Sequence, residues 1–370
     1  MNHEMAFLAH DQLQALIKTL SEMNYRCFGP QVHDSAIVFD ELESVKQLPL
    51  GIAVEQSPGS YKLKKQKHTR YFAWANGPQA IKPMVFAPRE SIWSCKRDEN
   101  GSLKFEENIP SAKPIALLGV RPCDISALYV YDQHFLQQDY QDPYYLARRQ
   151  QLLLITVNCT HPAQTCFCAS TGDGPQARYG YDLALTELED GFVINAHSQL
   201  GKTVLAQLPV QDIKPTQIQD ANTALEHAKS AQTRQLKTMD LYKPLFDNLD
   251  HTAWAKVGER CLGCGNCTSV CPTCFCHRET ETADLDGAHS THFREWDSCF
   301  SQEHSYIHGV LIRADNTSRY RQWLTHKMGS WIEQYGRSGC VGCGRCIAWC
   351  PVGIDITEEV AKVTNDGPSS

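Results

Sequence analysis

Seventeen cysteines stand in this 370-residue chain, and most of them fall into a pattern. Cys261, Cys264, Cys267 and Cys271 are followed by Pro272, and Cys340, Cys343, Cys346 and Cys350 by Pro351. Each set reads Cys-x-x-Cys-x-x-Cys-x-x-x-Cys-Pro. Three thiolates at that spacing wrap three corners of a compact iron–sulfur cubane, and a fourth completes one. Gly263, Gly265, Gly342 and Gly344 give the loops turn conformations closed to bulkier residues. They also leave backbone N–H groups free to point at cluster sulfur. The proline redirects the chain and cannot compete as a donor. A zinc site with four cysteine ligands is the competing reading, because it too uses Cys-x-x-Cys pairs. Zinc needs four ligands and gives the third cysteine of such a run no role. Two full copies of the run therefore point to two [4Fe–4S] clusters.

A second group lies upstream. Gly119-Val-Arg-Pro-Cys123-Asp124 ends one apolar run, Lys113–Val120, and Asn158-Cys159 ends another, Gln151–Val157. Cys166-Phe-Cys168 follows closely. Such runs, bounded by Pro and Asn, read as buried strands, and functional residues gather at strand ends in α/β domains. Cys123, Cys159, Cys166 and Cys168 are thus candidates for a third [4Fe–4S] cluster, with Asp124 as an alternative oxygen ligand. Zinc and structural thiols are the competing readings. Cys274, Cys276 and His277 follow the first run directly, and Cys299 comes later. They could bind a further metal, line the first cluster or pack as apolar side chains. The surrounding stretch is basic and aromatic: Arg294, Arg313, Arg319, Arg321, His326 and Lys327, with Trp323 and Trp331. A nucleic-acid patch is the remote reading. Cations that offset the negative charge of thiolate-bound clusters are the nearer one.

The elements that must hold these groups are mixed. Asp11–Ser21 carries helical apolar spacing at Leu13, Leu16, Ile17 and Leu20. Ala36–Phe39 and Tyr71–Trp74 read as short strands, and a helix is expected from Asp124 to about Gln138. Lys214–Lys237 is polar and helix-like. Past Asp240 the character changes to helical segments broken by cysteine loops, and Asn365–Ser370 reads as a frayed tail. The expected fold class is α+β, with an α/β-type domain over residues 1–240 and an α-helical domain over residues 241–370. The net charge of −7 argues against a nucleic-acid partner. Met1–Leu20 lacks the continuous apolar stretch of a signal peptide, and no run approaches a membrane span. With so many clustered cysteines, a reducing cytoplasm is the expected setting.

The paired runs are those of bacterial ferredoxins. In two-cluster ferredoxins the fourth cysteine of each run ligates the other cluster. Carried over, one cluster takes Cys261, Cys264, Cys267 and Cys350, and the other Cys340, Cys343, Cys346 and Cys271. The long insertion between the runs resembles the α-helical ferredoxin type. Together with GVRPCDISAL, NC…TCFC, CPTCFC and WDSC, the chain resembles β subunits of cytosolic NAD(P)-linked [NiFe] hydrogenases, also called sulfhydrogenases or sulfur reductases. The corresponding iron–sulfur subunit of anaerobic sulfite reductase is similar. Gln56-Ser-Pro-Gly-Ser-Tyr61 and Phe86-Ala-Pro-Arg-Glu90 extend the likeness into the first half. The resemblance implies an electron-transfer subunit, not catalytic alone, that relays electrons between a flavin subunit binding NAD(P) and a catalytic hydrogenase or reductase subunit. The chain lacks both a G-x-G-x-x-G turn and a P-loop, in keeping with that role. A zinc-binding, cysteine-rich interaction protein is the remote alternative.

Overall fold

The computed structural model describes residues 4–79, 81–111, 113–238 and 240–365. Residues 366–370 of the expected frayed tail lie outside them. The strands in chain order are β1 (Met5–Ala9), β2 (Arg26–His33), β3 (Ala36–Glu41), β4 (Ile52–Ser57), β5 (Ser60–Lys65), β6 (Arg89–Arg97) and β7 (Leu103–Glu107). They continue with β8 (Ile115–Val120), β9 (Leu152–Val157), β10 (Leu183–Glu187), β11 (Gly191–Ala196), β12 (His277–Ala283) and β13 (His289–Trp296).

The first half is built on a seven-stranded sheet in the order β1-β11-β10-β9-β8-β2-β3. Its centre is parallel, β2 with β8, β8 with β9 and β9 with β10. A parallel centre is buried on both faces, so β8 and β9 are continuous apolar runs and not alternating ones. Alternate residues serve two cores. Ala116, Leu118, Leu153 and Ile155 pack with Leu13, Leu16, Ile17 and Leu20 of the helix Leu13–Glu22. Leu117, Val120, Leu152 and Leu154 pack with Ile125, Leu128 and Tyr131 of the helix Pro122–Phe135. That helix begins at Pro122, where a missing N–H costs nothing, so Cys123 and Asp124 lie in its first turn.

Tyr71–Trp74, expected as a strand, is irregular. Its backbone is satisfied by side chains in place of a sheet neighbour. Glu187 accepts from Tyr71 N at 2.6 Å and from Phe72 N at 2.8 Å. Arg121 donates to Phe72 O at 3.1 Å and also to Trp74 O. Phe72 and Trp74 thereby seal one face of the main sheet.

The second half has its own core, in which Trp254, Val257, Tyr320, Trp323, Leu324, Met328, Ile347 and Val360 pack with half-buried cysteines. Its helices are short, as expected for segments interrupted by cysteine loops. One feature differs from an all-helical expectation: the insertion folds back as the hairpin β12–β13. β13 pairs antiparallel with β6, giving the sheet order β12-β13-β6-β7. The hairpin is largely polar and half exposed, so it carries little apolar periodicity. This sheet draws strands from both sides of residue 240 and joins the two halves.

Glu187 is 1% exposed, and its removal strands the buried N–H of Phe72 and the half-buried one of Tyr71. Glu187→Ala is expected to destabilise the protein by about 2–4 kcal/mol, with Glu187→Gln milder. Anaerobic denaturant midpoints test this.

Candidate iron–sulfur centres

The helix Ala253–Arg260 delivers the chain to Cys261, and Gly263 (φ +63°) and Gly265 (φ +75°) turn it back. The second run repeats the conformation at Gly342 (φ +62°) and Gly344 (φ +73°). A short helix follows each turn, Asn266–Ser269 and Arg345–Ala348. The cysteine spacing therefore has the same local backbone twice. Gly263 N donates to Cys261 Sγ at 3.4 Å, one of the amide–sulfur contacts the sequence leads one to expect.

Cys261, Cys264 and Cys267 line a single cavity with Cys350 from the other run, walled by Phe300, Tyr320 and Trp323. Cys346 also borders it. Cys264 is exposed, and Leu262 beside it is 64% exposed, so this site reaches the surface. Cys346 lies near Cys340, Cys343 and Cys271, and then Cys267. Both fourth cysteines thus stand with the opposite run. Burial pushes Cys340 up to about 12 as a free thiol. Bound iron takes thiolate, so metal binding would release these protons.

Lys327 supplies a cation to the second site. It sits on a π-helical turn, His326–Ser330, and is 3% exposed. Burial alone would lower its ammonium, but the thiolates of Cys271, Cys274 and Cys340 outweigh that and hold it above its usual value. Lys327 Nζ donates to Thr273 Oγ1 at 2.8 Å, and that hydroxyl lies 3.2 Å from Cys271 Sγ. The other basic residues of the insertion have different partners. Arg319 and Arg321 bind backbone carbonyls, and Arg294 pairs with Glu90 and Asp142.

The middle cysteines gather where β8 and β9 end. Cys123 and Cys168 pack against Val341 and Cys343. Cys168 lies near Cys166 and Cys159, and all four are buried. Gly342 makes this approach possible, because a Cβ there would stand 2.6 Å from both N and Cα of Cys168. Phe167 N donates to Gly342 O at 2.8 Å, and Asn76 Nδ2 to Cys343 O at 2.8 Å. Gln232 Nε2 lies 3.4 Å from Cys168 Sγ. Arg121, beside Cys159 and Cys123, has a buried Nε with no partner among the described residues. A buried cation with an unused donor fits an anionic cluster at this place.

Asp124, a candidate oxygen ligand on sequence grounds, has both oxygens taken. Arg345 Nη1 lies 2.7 Å from one and Nη2 3.0 Å from the other. It therefore acts as the charge partner of Arg345. Arg121, Arg345, Asn76 and Gln232 are not marked as site residues by the sequence. Only their proximity to the cysteine motifs could have flagged Arg121 and Arg345.

Cys274 lies near Cys271, and Cys276 near Cys299, the latter two flanking the β12–β13 hairpin. Among the described residues no three Cys, His, Asp or Glu side chains converge on a single-ion site.

Residues 260–354 match the family of 4Fe-4S dicluster domains. The chain thus carries an iron–sulfur domain of that class, and the zinc reading is set aside. Across most of its length it is similar to a particular protein, sulfhydrogenase 2 subunit beta of Pyrococcus furiosus. The two are 28% identical over 347 residues, covering 91% of this chain and 92% of the relative. The resemblance drawn from the sequence is borne out by this match. No solved structure matches the chain. Among the described residues no helix is long and apolar enough to cross a membrane.

The exchanged fourth ligands have a direct test. Cys350→Ala should lose the cluster of the first run, and Cys271→Ala that of the second. Each change should remove about four of the iron atoms bound by the full protein. Loss of the second run's cluster in Cys350→Ala and of the first run's in Cys271→Ala, seen by iron analysis and electron paramagnetic resonance, would reverse the assignment.

Proposed function

We propose that the chain is the iron–sulfur electron-transfer subunit of a [NiFe] hydrogenase or sulfur reductase complex. In this reading it relays electrons between a flavin subunit that binds NAD(P) and a catalytic subunit. The observation that carries the reading is the contiguity of three thiolate sets. Cys123, Cys166 and Cys168 lie beside Cys343 of the second run. Cys346 of that run lies beside Cys267 of the first, and Cys264 brings the first to the surface. Three [4Fe–4S] clusters held there form a row with neighbouring ligands. One end is buried under the parallel sheet and the other is edged by exposed Leu262 and Val352. A role in electron transfer is supported further by the similarity to a sulfhydrogenase subunit.

In this reading the clusters carry the electrons, one each. The protein's own residues set where the charge is stabilised. Arg121 and Arg345 flank the cysteines of the third set, and Lys327 those of the second run. Each favours an added electron on its neighbour. Leu262 and Val352 mark the edge at which a partner's redox group approaches.

Anaerobically purified protein should bind about twelve iron, falling to about eight in a Cys166→Ala, Cys168→Ala variant. Full iron in that variant would remove the third cluster from this site. Lys327→Met should keep its iron and make the second-run cluster harder to reduce, by on the order of 100 mV. Redox titration followed by electron paramagnetic resonance measures it. An unchanged potential would mean that the ammonium is structural. Anaerobic pull-down of the subunits that co-purify tests the partners.

A further inference from the structure

Phe275, between Cys274 and Cys276 of the CPTCFC motif, has no place in the electron-relay reading. It lies flat between two rings. Its centroid is 5.4 Å from that of Trp331 at an interplanar angle of 15°, and 3.8 Å from that of His134 at 16°. Trp331 meets Tyr335 edge-on at 5.3 Å. The Tyr335 hydroxyl lies 2.7 Å from His134 Nδ1, and Trp331 Nε1 donates to His326 Nε2 at 2.8 Å. Among the described residues no other tryptophan or tyrosine hydrogen-bonds to a histidine nitrogen. Trp74, Trp254, Trp296 and Tyr131 all donate to backbone carbonyls.

The backbone builds this block. His326–Ser330 is a π-helical turn, and the helix Trp331–Tyr335 continues it. A π turn repeats over five residues, so His326 comes level with Trp331. Tyr335, four residues further along an α-helix, falls on the same face as Trp331. The indole lies against the second cysteine run. A Cβ at Gly339, next to Cys340, would stand 2.1 Å from Trp331 Cε3. Lys327 Nζ lies over the indole, 4.9 Å from its centroid. The far side of the block reaches solvent. Gly336, after Tyr335, is exposed, as is His326, and His134 is half-buried.

These partners decide what the two rings can do when oxidised. Indole and phenol both become strong acids on losing an electron. An indole N–H is a donor only, so His326 Nε2 carries no proton and can accept one. Burial holds His134 down at about 4, which keeps it neutral. With its proton on Nε2, its Nδ1 accepts from the Tyr335 hydroxyl. The ammonium of Lys327 disfavours a positively charged radical on the indole beneath it. Loss of an electron from Trp331 is therefore coupled to loss of its N–H proton to His326. Phe275 is too hard to oxidise to hold the charge, and it covers one face each of Trp331 and His134.

We propose that Trp331 and Tyr335 form an outlet for oxidising equivalents, carrying them from the second-run site toward the surface when a reduced cluster there meets peroxide. This goes beyond the electron-relay reading and needs only the second-run cluster. Hydrogen peroxide takes one electron at that site, and its O–O bond breaks into hydroxide and a hydroxyl radical. The hydroxyl radical takes an electron from Trp331 and becomes hydroxide, while the indole proton moves to His326. Trp331 then takes an electron from Tyr335 and recovers its proton from His326. The phenol proton passes to His134 and on to one of the hydroxides, giving water. In sum, hydrogen peroxide, one electron and the Tyr335 phenol give water, hydroxide and the Tyr335 phenoxyl radical. A small thiol from solvent returns a hydrogen atom to that radical. The gain falls to the ligands, because a cysteine taken as far as sulfinic acid is not recovered by thiols.

The experiment uses the anaerobically purified full chain with its clusters, reduced with dithionite, freed of excess donor and mixed with hydrogen peroxide. Cluster reoxidation is followed by absorption, and frozen samples are examined by electron paramagnetic resonance. Wild type should show a tyrosyl radical, and a nitrone spin trap present during the reaction should label Tyr335, located by mass spectrometry. Tyr335→Phe keeps the ring packing. It should hold its iron before peroxide, lose the tyrosyl signal and then lose iron faster than wild type. Trp331→Phe should lose the signal too. In His134→Leu the g tensor of the radical should shift, as for a phenoxyl freed of its hydrogen bond. The wild-type label decides the site even where a variant loses its iron. Reoxidised clusters with no tyrosyl radical would overturn the outlet and leave the relay standing. So would a trap label away from Tyr335, an undiminished radical in Trp331→Phe, or an unchanged g tensor in His134→Leu. Protein that binds no iron would overturn both readings.

Discussion

The guanidinium of Arg345 faces the carboxylate of Asp124 with 1% and 0% of their side chains exposed. Two charges so deeply buried are costly to desolvate, and their attraction repays that only with good geometry and further hydrogen bonds. Both conditions are met: the pair is bidentate, and Arg345 Nε donates to Gly77 O at 3.0 Å. Arg345 belongs to the second cysteine run and Asp124 to the first turn of the helix after β8. The pair therefore ties the two halves of the chain together between Cys343 and Cys123. Its surplus attraction goes to those thiolates. Burial would lower the guanidinium, but Asp124, Cys343 and Cys123 hold it far above its usual value. Losing either partner would leave an uncompensated buried charge between the Cys343 and Cys123 thiols.

Close approach of the loops is the second constraint, and it follows from backbone, not side chains. A Cβ at Gly344 would lie 2.3 Å from Thr165 O, and one at Gly342 would strike Cys168. Both glycines also have φ values that disfavour other residues. The equivalent Gly263 meets only the side chain of Asn316, whose amide binds Cys261 O at 2.6 Å. The same local turn is thus used once against the neighbouring loop of Thr165–Cys168 and once toward the surface. That asymmetry makes one end of the row of thiolates interior and the other accessible.

What could be read in the sequence was what is local. The cysteine runs are legible because cubane ligation fixes spacing over a dozen residues. β8 and β9 are legible because burial on both faces forces unbroken apolar runs. Tyr71–Trp74 has the composition of a strand, but its amides are met by Glu187, more than a hundred residues away, and its carbonyls by Arg121. No periodicity encodes side chains standing in for a strand. β12 and β13 escape sequence reading for the opposite reason: a hairpin half in solvent has a polar sequence. Arg121 and Arg345 both stand inside legible motifs, yet each matters through a contact made across the fold.

Identical side chains take different chemistry here according to how the backbone spaces them. Along a run, left-handed glycines turn the chain so that successive cysteines point into a common cavity, the setting for a cluster. At the mouth of the β12–β13 hairpin, the pairing of His277 with Trp296 brings the two strand ends together, with Cys276 just before β12 and Cys299 three residues after β13. The chemistry open to each sulfur is therefore set one level above its sequence motif. Turns that splay thiolates around a space suit clusters, whereas cysteines flanking paired strands take their place from strand register.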